Sequence, residues 1–225
     1  MALYRDRIDA GRRLAAQLAA YAGRPDVIVL GLPRGGVPVA EQVARALGAE
    51  LDVFVVRKVG VPGHEELAMG AVASGGVRVV NREVVDGLGI SDEMLRHAAA
   101  EELVEVERRE RVYRGDRDPA FLVDRIVILV DDGLATGASM RAAIEAVRIH
   151  RPAQITVAVP VAPSVSCDEL RSVADAVICA ATPEPFFAIG QWYEDFSQTT
   201  DDEVREALAR YRRPEERLEP SAPAV

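Results

Sequence analysis

Two adjacent carboxylates, Asp131 and Asp132, end an uninterrupted apolar run from Ile126 to Val130 and are followed by Gly133, Leu134, Ala135, Thr136, Gly137, Ala138 and Ser139. Ionised carboxylates are strong hydrogen-bond acceptors, so two side by side suit the vicinal hydroxyls of a sugar. Gly133 allows a turn with positive φ. Thr136 to Ser139 then present successive N–H groups and two hydroxyls at a helix start, which is an anion cradle. A phosphate on the helix end with sugar hydroxyls on the acids describes a ribose 5-phosphate unit. Each residue alone is an ordinary cap or turn former; their order of apolar strand, acid pair, glycine turn and TGxS points to a site.

A second anion-facing segment, Gly31-Leu32-Pro33-Arg34-Gly35-Gly36, closes the apolar run Val27 to Leu30. Gly35 and Gly36 let backbone approach an anion closely, while the Arg34 guanidinium can fork onto its oxygens. The segment is neither the GxGxxG dinucleotide fingerprint nor a P-loop, and an ordinary strand-to-helix turn is the alternative. Arg57 and Lys58, the latter the only lysine of the chain, leave a third apolar run, Leu51 to Val56, at the same predicted sheet edge. They suit a polyanion, or are two solvated charges at a strand end. His64, Glu65 and Glu66 follow and read as solvated polar residues. Late in the chain, Pro183 to Phe196 gathers aromatics. Phe187 or Trp192 could stack on a flat heterocycle, or the group could seal a satellite core with Phe186, Tyr193 and Phe196.

The elements that must position these residues follow from periodicity. Val27–Leu30, Leu51–Val56, Ile126–Val130, Ile155–Val161 and, more weakly, Ala176–Ala180 lack polar alternation and suit strands covered on both faces. Ala40, Val43, Ala44 and Leu47 share a helical face between Pro38 and Gly48, as do Met140, Ala143, Ile144 and Val147. Strand then helix, repeated, predicts a mainly parallel sheet. Residues 57–76 are dense in Gly and Pro, and a mobile loop leading to an antiparallel pair, Met69–Ala73 and Val77–Val80, is expected. Residues 91–114 read as a solvated helix carrying the i,i+4 pairs Glu105–Arg109 and Glu107–Arg111. From Pro214 onward the chain reads as a disordered tail.

At 225 residues, 49% hydrophobic and 28% charged, the chain fits one globular α/β domain with appended elements. The formal net charge of −9 disfavours nucleic acid as a partner. No run approaches the ~20 apolar residues of a membrane span, and the first residues lack the apolar core of a signal peptide, so a cytoplasmic location is expected. Cys167 and Cys179 form no CxxC and are expected to be buried thiols, with neither zinc nor a disulfide signalled.

The segment VDDGLATGAS resembles the signature of type I phosphoribosyltransferases that binds 5-phosphoribosyl 1-diphosphate (PRPP). GLPRGG, VRKVGVPG and this signature, in that order over Val27 to Ile144, also resemble a stand-alone bacterial group within that family. The resemblance implies an α/β fold over 1–213, with a mainly parallel twisted sheet flanked by helices. It also implies a small hood from about 1–22 and 183–213, and closure of the 57–76 loop. It implies PRPP binding by Gly35, Gly36, Asp131, Asp132, Gly133, Ala135, Thr136, Gly137, Ala138 and Ser139, with Arg34, Arg57 and Lys58 catalytic at the leaving pyrophosphate. Phe187 and Trp192 would meet the acceptor, Mg²⁺ would be held through PRPP and water with Glu194 or Asp195 assisting, and the protein would be a homodimer. The expected reaction moves the 5-phosphoribosyl group to a nitrogenous base or small amine. The alternative is a non-catalytic regulatory protein that binds PRPP or a nucleotide. Enzymes for 6-oxopurines carry an aspartate where this chain has Ala135, and they set a lysine against the purine oxygen, which Lys58 is not placed to do. The several loop lysines of orotate enzymes are absent too, while the LATG wording is closest to adenine-type enzymes. A hydrolase with Asp131 as nucleophile fails on spacing, because aspartyl-phosphate chemistry uses acids on alternate residues.

Overall fold

A computed structural model describes residues 2–211, so the tail expected from Pro214 onward lies outside the described residues. Strands β1 (Val27–Gly31), β2 (Glu50–Val53), β6 (Ile126–Val130), β7 (Gln154–Val161) and β8 (Ala176–Ala181) form a five-stranded parallel sheet in the order β2-β1-β6-β7-β8. Helices α1 (Arg7–Gln17), α2 (Gly36–Leu47), α5 (Ala138–Ile149) and α6 (Ser164–Leu170) flank it, and α7 (Asp201–Arg210) joins α2. The apolar runs form strands because both of their faces are covered. Val27 and Val29 of β1 join one buried cluster with α1 and α2, while Ile28 and Leu30 join a second with α5 and α6. Ile128 and Leu129 of β6 divide in the same way.

This strand order fixes where a ligand can bind. From β1 the chain moves outward to β2, and from β6 it moves the other way to β7, so the β1–β6 boundary is a topological switch point. Gly31 pairs in register with Val130, and the Leu32 amide donates to the Val130 carbonyl at 2.9 Å. The two loops singled out by their residue types therefore leave the sheet side by side.

Residues 57–76 differ from the expected irregular loop. The chain bends at Phe54 and Val55 and enters a second, antiparallel sheet of β3 (Val56–Val61), β4 (His64–Ala73) and β5 (Val77–Val80). The expected antiparallel pair is present in β4 and β5, with Ala71 opposite Val79. The Gly and Pro density that suggested a loop is spent on the turn at Pro62-Gly63, where Gly63 has φ 78°, and on an irregular register near Gly60. Met69 and Val72 are buried in the main core, so the segment is anchored along much of its length.

Helices α3 (Arg82–Leu88) and α4 (Asp92–Arg114) follow. The Ser91 hydroxyl caps α4 by accepting from the Met94 amide at 3.2 Å. Of the two expected pairs one is made, Arg109 donating to Glu105 at 2.7 Å, whereas Glu107 and Arg111 form no ion pair among the described residues, and α4 is not simply solvated. Ala99, Val106, Tyr113 and Arg114 are buried. Arg114 donates to the Asp52 carboxylate at 2.9 Å and to the Val53 carbonyl at 2.6 Å, beneath the end of β2.

The cysteine expectation is overturned. Cys167 of α6 and Cys179 of β8 form a disulfide with Cα atoms 6.7 Å apart. The short return from α6 into β8 brings together residues twelve apart in sequence, a juxtaposition that spacing alone does not reveal.

Candidate functional site

The acid pair sits where β6 ends, and its surroundings come from three distant parts of the chain. A Cβ placed on Gly35 would lie 2.0 Å from Asp132 Oδ2, and one on Gly36 would lie 2.7 Å from the Val130 carbonyl oxygen and 3.0 Å from Asp131 Oδ1. Only glycines let the β1–α2 loop close on the acids. The peptide between Pro33 and Arg34 is cis. Gly133 is required for a reason other than the expected positive φ, since a Cβ there would meet Ile189 Cγ2 at 2.6 Å. The positive φ belongs to Gly137, at 71°, which starts α5.

Asp131 is half-buried, and its Oδ1 accepts from the Asp132 amide at 2.8 Å. Burial, reinforced by the Asp132 charge, holds the Asp131 carboxyl well above the usual carboxylate range. Asp132 is buried as well. Burial raises its pKa too, and the Arg7 guanidinium opposes that rise. Arg7 Nε donates to Asp132 Oδ2 at 2.7 Å, and the Tyr193 hydroxyl donates to the Asp132 carbonyl at 2.6 Å. Burial and the nearby Asp132 charge push the Tyr193 phenol up, so it remains a donor at neutral pH.

Thr136, Ala138 and Ser139 are exposed where α5 begins, and the Ala138 amide donates to Thr136 Oγ1 at 3.5 Å. Helix α6 supports this loop from behind. Ser166 Oγ donates to the Ala135 carbonyl at 2.7 Å, and a Cβ on Gly137 would touch Leu170 at 3.8 Å.

Each arginine of the cationic set meets an acidic neighbour. Arg34 Nη1 lies 3.8 Å from Asp201 Oδ1 of α7, and the same oxygen accepts from the Tyr113 hydroxyl at 3.0 Å. Burial first, and then the bond to Asp201, pushes the Tyr113 phenol up to about 12. Arg57 lies within β3 and donates to Glu102 of α4. Lys58 is exposed on β3, and His64 is exposed at the start of β4, which also contains Glu65 and Glu66.

The late aromatics divide between the two readings. Tyr4 and Tyr193 are buried in a satellite cluster with Ala10 and Val161, and Phe186, Ile189, Trp192 and Phe196 pack against it. The Leu3 and Tyr4 amides donate to the Trp192 carbonyl at 2.9 and 3.0 Å, stitching the N-terminal segment to the late one. Trp192 stands 6.1 Å from Phe186 between ring centroids, whereas Phe187 is 82% exposed. A groove of about 630 Å³ runs between Pro163–Val165 and Pro183–Phe186, beyond the carboxyl ends of β7 and β8. The Asp195 carboxylate accepts from the Ser197 amide at 2.8 Å, a bond that lowers its pKa, while Glu194 is exposed.

Sequence reasoning missed Arg7, Glu102, Tyr113 and Asp201, and named Tyr193 for the satellite core without its bond to the Asp132 carbonyl. Arg7 and Asp132 are 125 residues apart, and no local pattern separates Arg7 from the other arginines of the chain.

Comparison with known proteins bears on these loops together. A family model described as "Phosphoribosyl transferase domain" matches residues 2–194. A Mycobacterium tuberculosis H37Rv protein provisionally named as a phosphoribosyl transferase is 48% identical over 213 residues, covering 95% of this chain and 48% of its own length. The chain thus spans about half the length of that relative. The crystal structure of TT1426 from Thermus thermophilus superposes with a TM-score of 0.84 at 43% identity, covering 94% of this chain and 99% of that one.

Proposed function

Because the chain belongs to the phosphoribosyl transferase family, we propose that it transfers the 5-phosphoribosyl group of PRPP to a nitrogenous base or small amine, releasing pyrophosphate. The observation that carries the reading is the convergence of Gly35 and Gly36 on Asp131 and Asp132 at the switch point, beside the start of α5.

The 5-phosphate rests on the amides at Gly137 to Ser139, where helix N-terminal donors favour an anion. The half-buried Asp131 accepts from ribose hydroxyls. Breaking the C1–O bond builds positive charge on the ring and negative charge on the departing diphosphate, so fixed charges provide most of the acceleration. Asp131 and Asp132 favour the ring cation. Arg34, Arg57, Lys58 and the Gly35 and Gly36 amides receive the diphosphate. Shielding of the site, to which we assign the β3–β4 hairpin, excludes the water that would otherwise hydrolyse PRPP. On the acceptor side, the exposed Phe187 ring offers a stacking face, and the neighbouring Phe186 lines the groove with Trp192 packed against it.

Among the described residues no three His, Cys, Asp or Glu side chains converge on one point, and the Asp132 carboxylate is engaged by Arg7. In this reading Mg²⁺ would be held by ligand phosphates and water, the manner in which that ion often binds. When bound, the ion neutralises diphosphate charge. A homodimer is proposed on the family resemblance, and a cytoplasmic location on the sequence reading.

The test is pyrophosphate release from PRPP and Mg²⁺ across a panel of nucleobases and small amines. Release with at least one acceptor is expected. Silence across the panel, with PRPP still bound in calorimetry, would convert the reading to a regulatory PRPP-binding protein.

A further inference from the structure

We propose that Arg7, at the first position of α1, is a positioning residue that divides the work of the acid pair, fixing Asp132 as an anchor and leaving Asp131 as the carboxylate that meets ligand hydroxyls. The inference deepens the PRPP reading and rests on it.

The geometry leaves Asp132 Oδ2 little room for a ligand. Arg7 Nε reaches that oxygen at 2.7 Å, with both side chains only 11–12% exposed. Gly35 closes over the same pair, since a Cβ there would stand 2.0 Å from Asp132 Oδ2 and 3.2 Å from Arg7 Nε. A ribose hydroxyl cannot enter between them without breaking the ion pair and moving the loop. Asp131 touches no guanidinium among the described residues, and its oxygen faces the Gly36 side of the crevice.

Arg7 itself is held on three sides. Asp6 caps α1 by accepting from the Asp9 amide at 2.7 Å, which sets the direction of the first turn. Arg7 Nη1 donates to the Ser197 carbonyl at 2.6 Å, and the guanidinium carbon lies 4.0 Å from the Phe196 ring centroid. One fork therefore ties α1, the late aromatic segment and the signature acid together. A planar guanidinium can serve two acceptors in different directions while stacking on a ring, which an ammonium cannot. Two neighbouring carboxylates in a poorly hydrated crevice repel each other, and a cation committed to one of them orients it and offsets part of that cost.

The experiment measures PRPP affinity by calorimetry in the presence of Mg²⁺ for Arg7→Met, Arg7→Lys, Asp132→Asn, the double variant Arg7→Met with Asp132→Asn, and Asp131→Asn. Arg7→Met is expected to weaken PRPP binding by about tenfold or more, because an uncompensated buried carboxylate is left behind. Arg7→Lys should recover part of that loss, since it restores the charge without the fork. The double variant should bind no worse than Asp132→Asn alone, because Arg7 acts through that carboxylate. Additive losses, or a loss that lysine does not relieve at all, would show that Arg7 only braces the aromatic segment and would overturn the proposal. Unchanged affinity in Arg7→Met, with binding abolished in Asp131→Asn, would sink the proposal and leave the PRPP reading intact. Unchanged affinity in Asp131→Asn would sink the PRPP reading itself. Should Arg7→Met fold poorly, Arg7→Lys against Asp132→Asn completes the comparison: a lysine variant as weak as the asparagine variant is the refuting result.

Discussion

The Arg57 guanidinium on β3 is closed by the Glu102 carboxylate of α4, so a strand expected to receive a diphosphate meets a protein anion first. The two side chains are 32% and 29% exposed, and ion pairs of that exposure contribute about 0–1 kcal/mol. Replacing Glu102 by Gln removes the competitor. Pyrophosphate binding should tighten, by up to about fivefold, in a titration at low salt. Weaker binding would mean that Glu102 orients Arg57 and does not compete with the ligand.

Asp131→Asn separates stability from function. The folded chain raises the Asp131 carboxyl, so its contribution to stability is present below the unfolded value of about 3.9 and is lost as pH rises through the folded value. At neutral pH the ligand-free asparagine variant should therefore melt higher than the parent, by about 2–4 °C for each kcal/mol relieved, and the gap should close at low pH. Its PRPP affinity should fall by about a hundredfold, the worth of two charge-assisted hydrogen bonds. A variant that melts lower at neutral pH contradicts the sign of this effect.

Gly35→Ala tests the closeness of the two loops. Its Cβ would fall 2.0 Å from Asp132 Oδ2, so the loop or the acid must shift, and both the melting temperature and PRPP affinity should drop. Gly87→Ala is the control, because that exposed position in α3 has nothing within 4 Å of a built Cβ. There, alanine should be neutral or stabilise by about 0.5–1 kcal/mol. Equal behaviour of the two variants in a thermal melt would argue against the contact.

What could be read from sequence was local. The apolar runs of β1 and β6 and the acid pair between β6 and α5 were legible because a strand buried on both faces leaves a continuous signature. Gly133 was singled out for the wrong reason, since a crowding neighbour such as Ile189, 56 residues away, is invisible until the fold brings it there. The Pro-Gly turn at 62–63 reads alike as the tip of a hairpin or as part of a loop, and only the burial of Met69 and Val72 distinguishes them. The Cys167–Cys179 bridge and the Arg7 contact share the same cause, for both are made by chain crossings that spacing does not encode.

Arg114 supports the end of β2 and not the ligand. With Arg114 5% and Asp52 10% exposed, Arg114→Met would take from the Asp52 carboxylate its cation, leaving it only the Val53 and Ala120 amides as donors, and would remove a donor from the Val53 carbonyl. Losing one partner of a buried pair costs about 3–5 kcal/mol, so the melting temperature should fall on the order of 10 °C. PRPP affinity of the folded variant, measured below that transition, should stay close to the parent. A melting temperature within a degree of the parent would show that the pair contributes little.

Lys58 stands exposed on β3 and has no other lysine to share its chemistry with. An amine-directed fluorophore, applied where any terminal amine is blocked, would attach at that one side chain. The hairpin would then carry its own optical reporter without a single engineered residue, and the dye's anisotropy could follow whether this strand stiffens when a polyphosphate arrives.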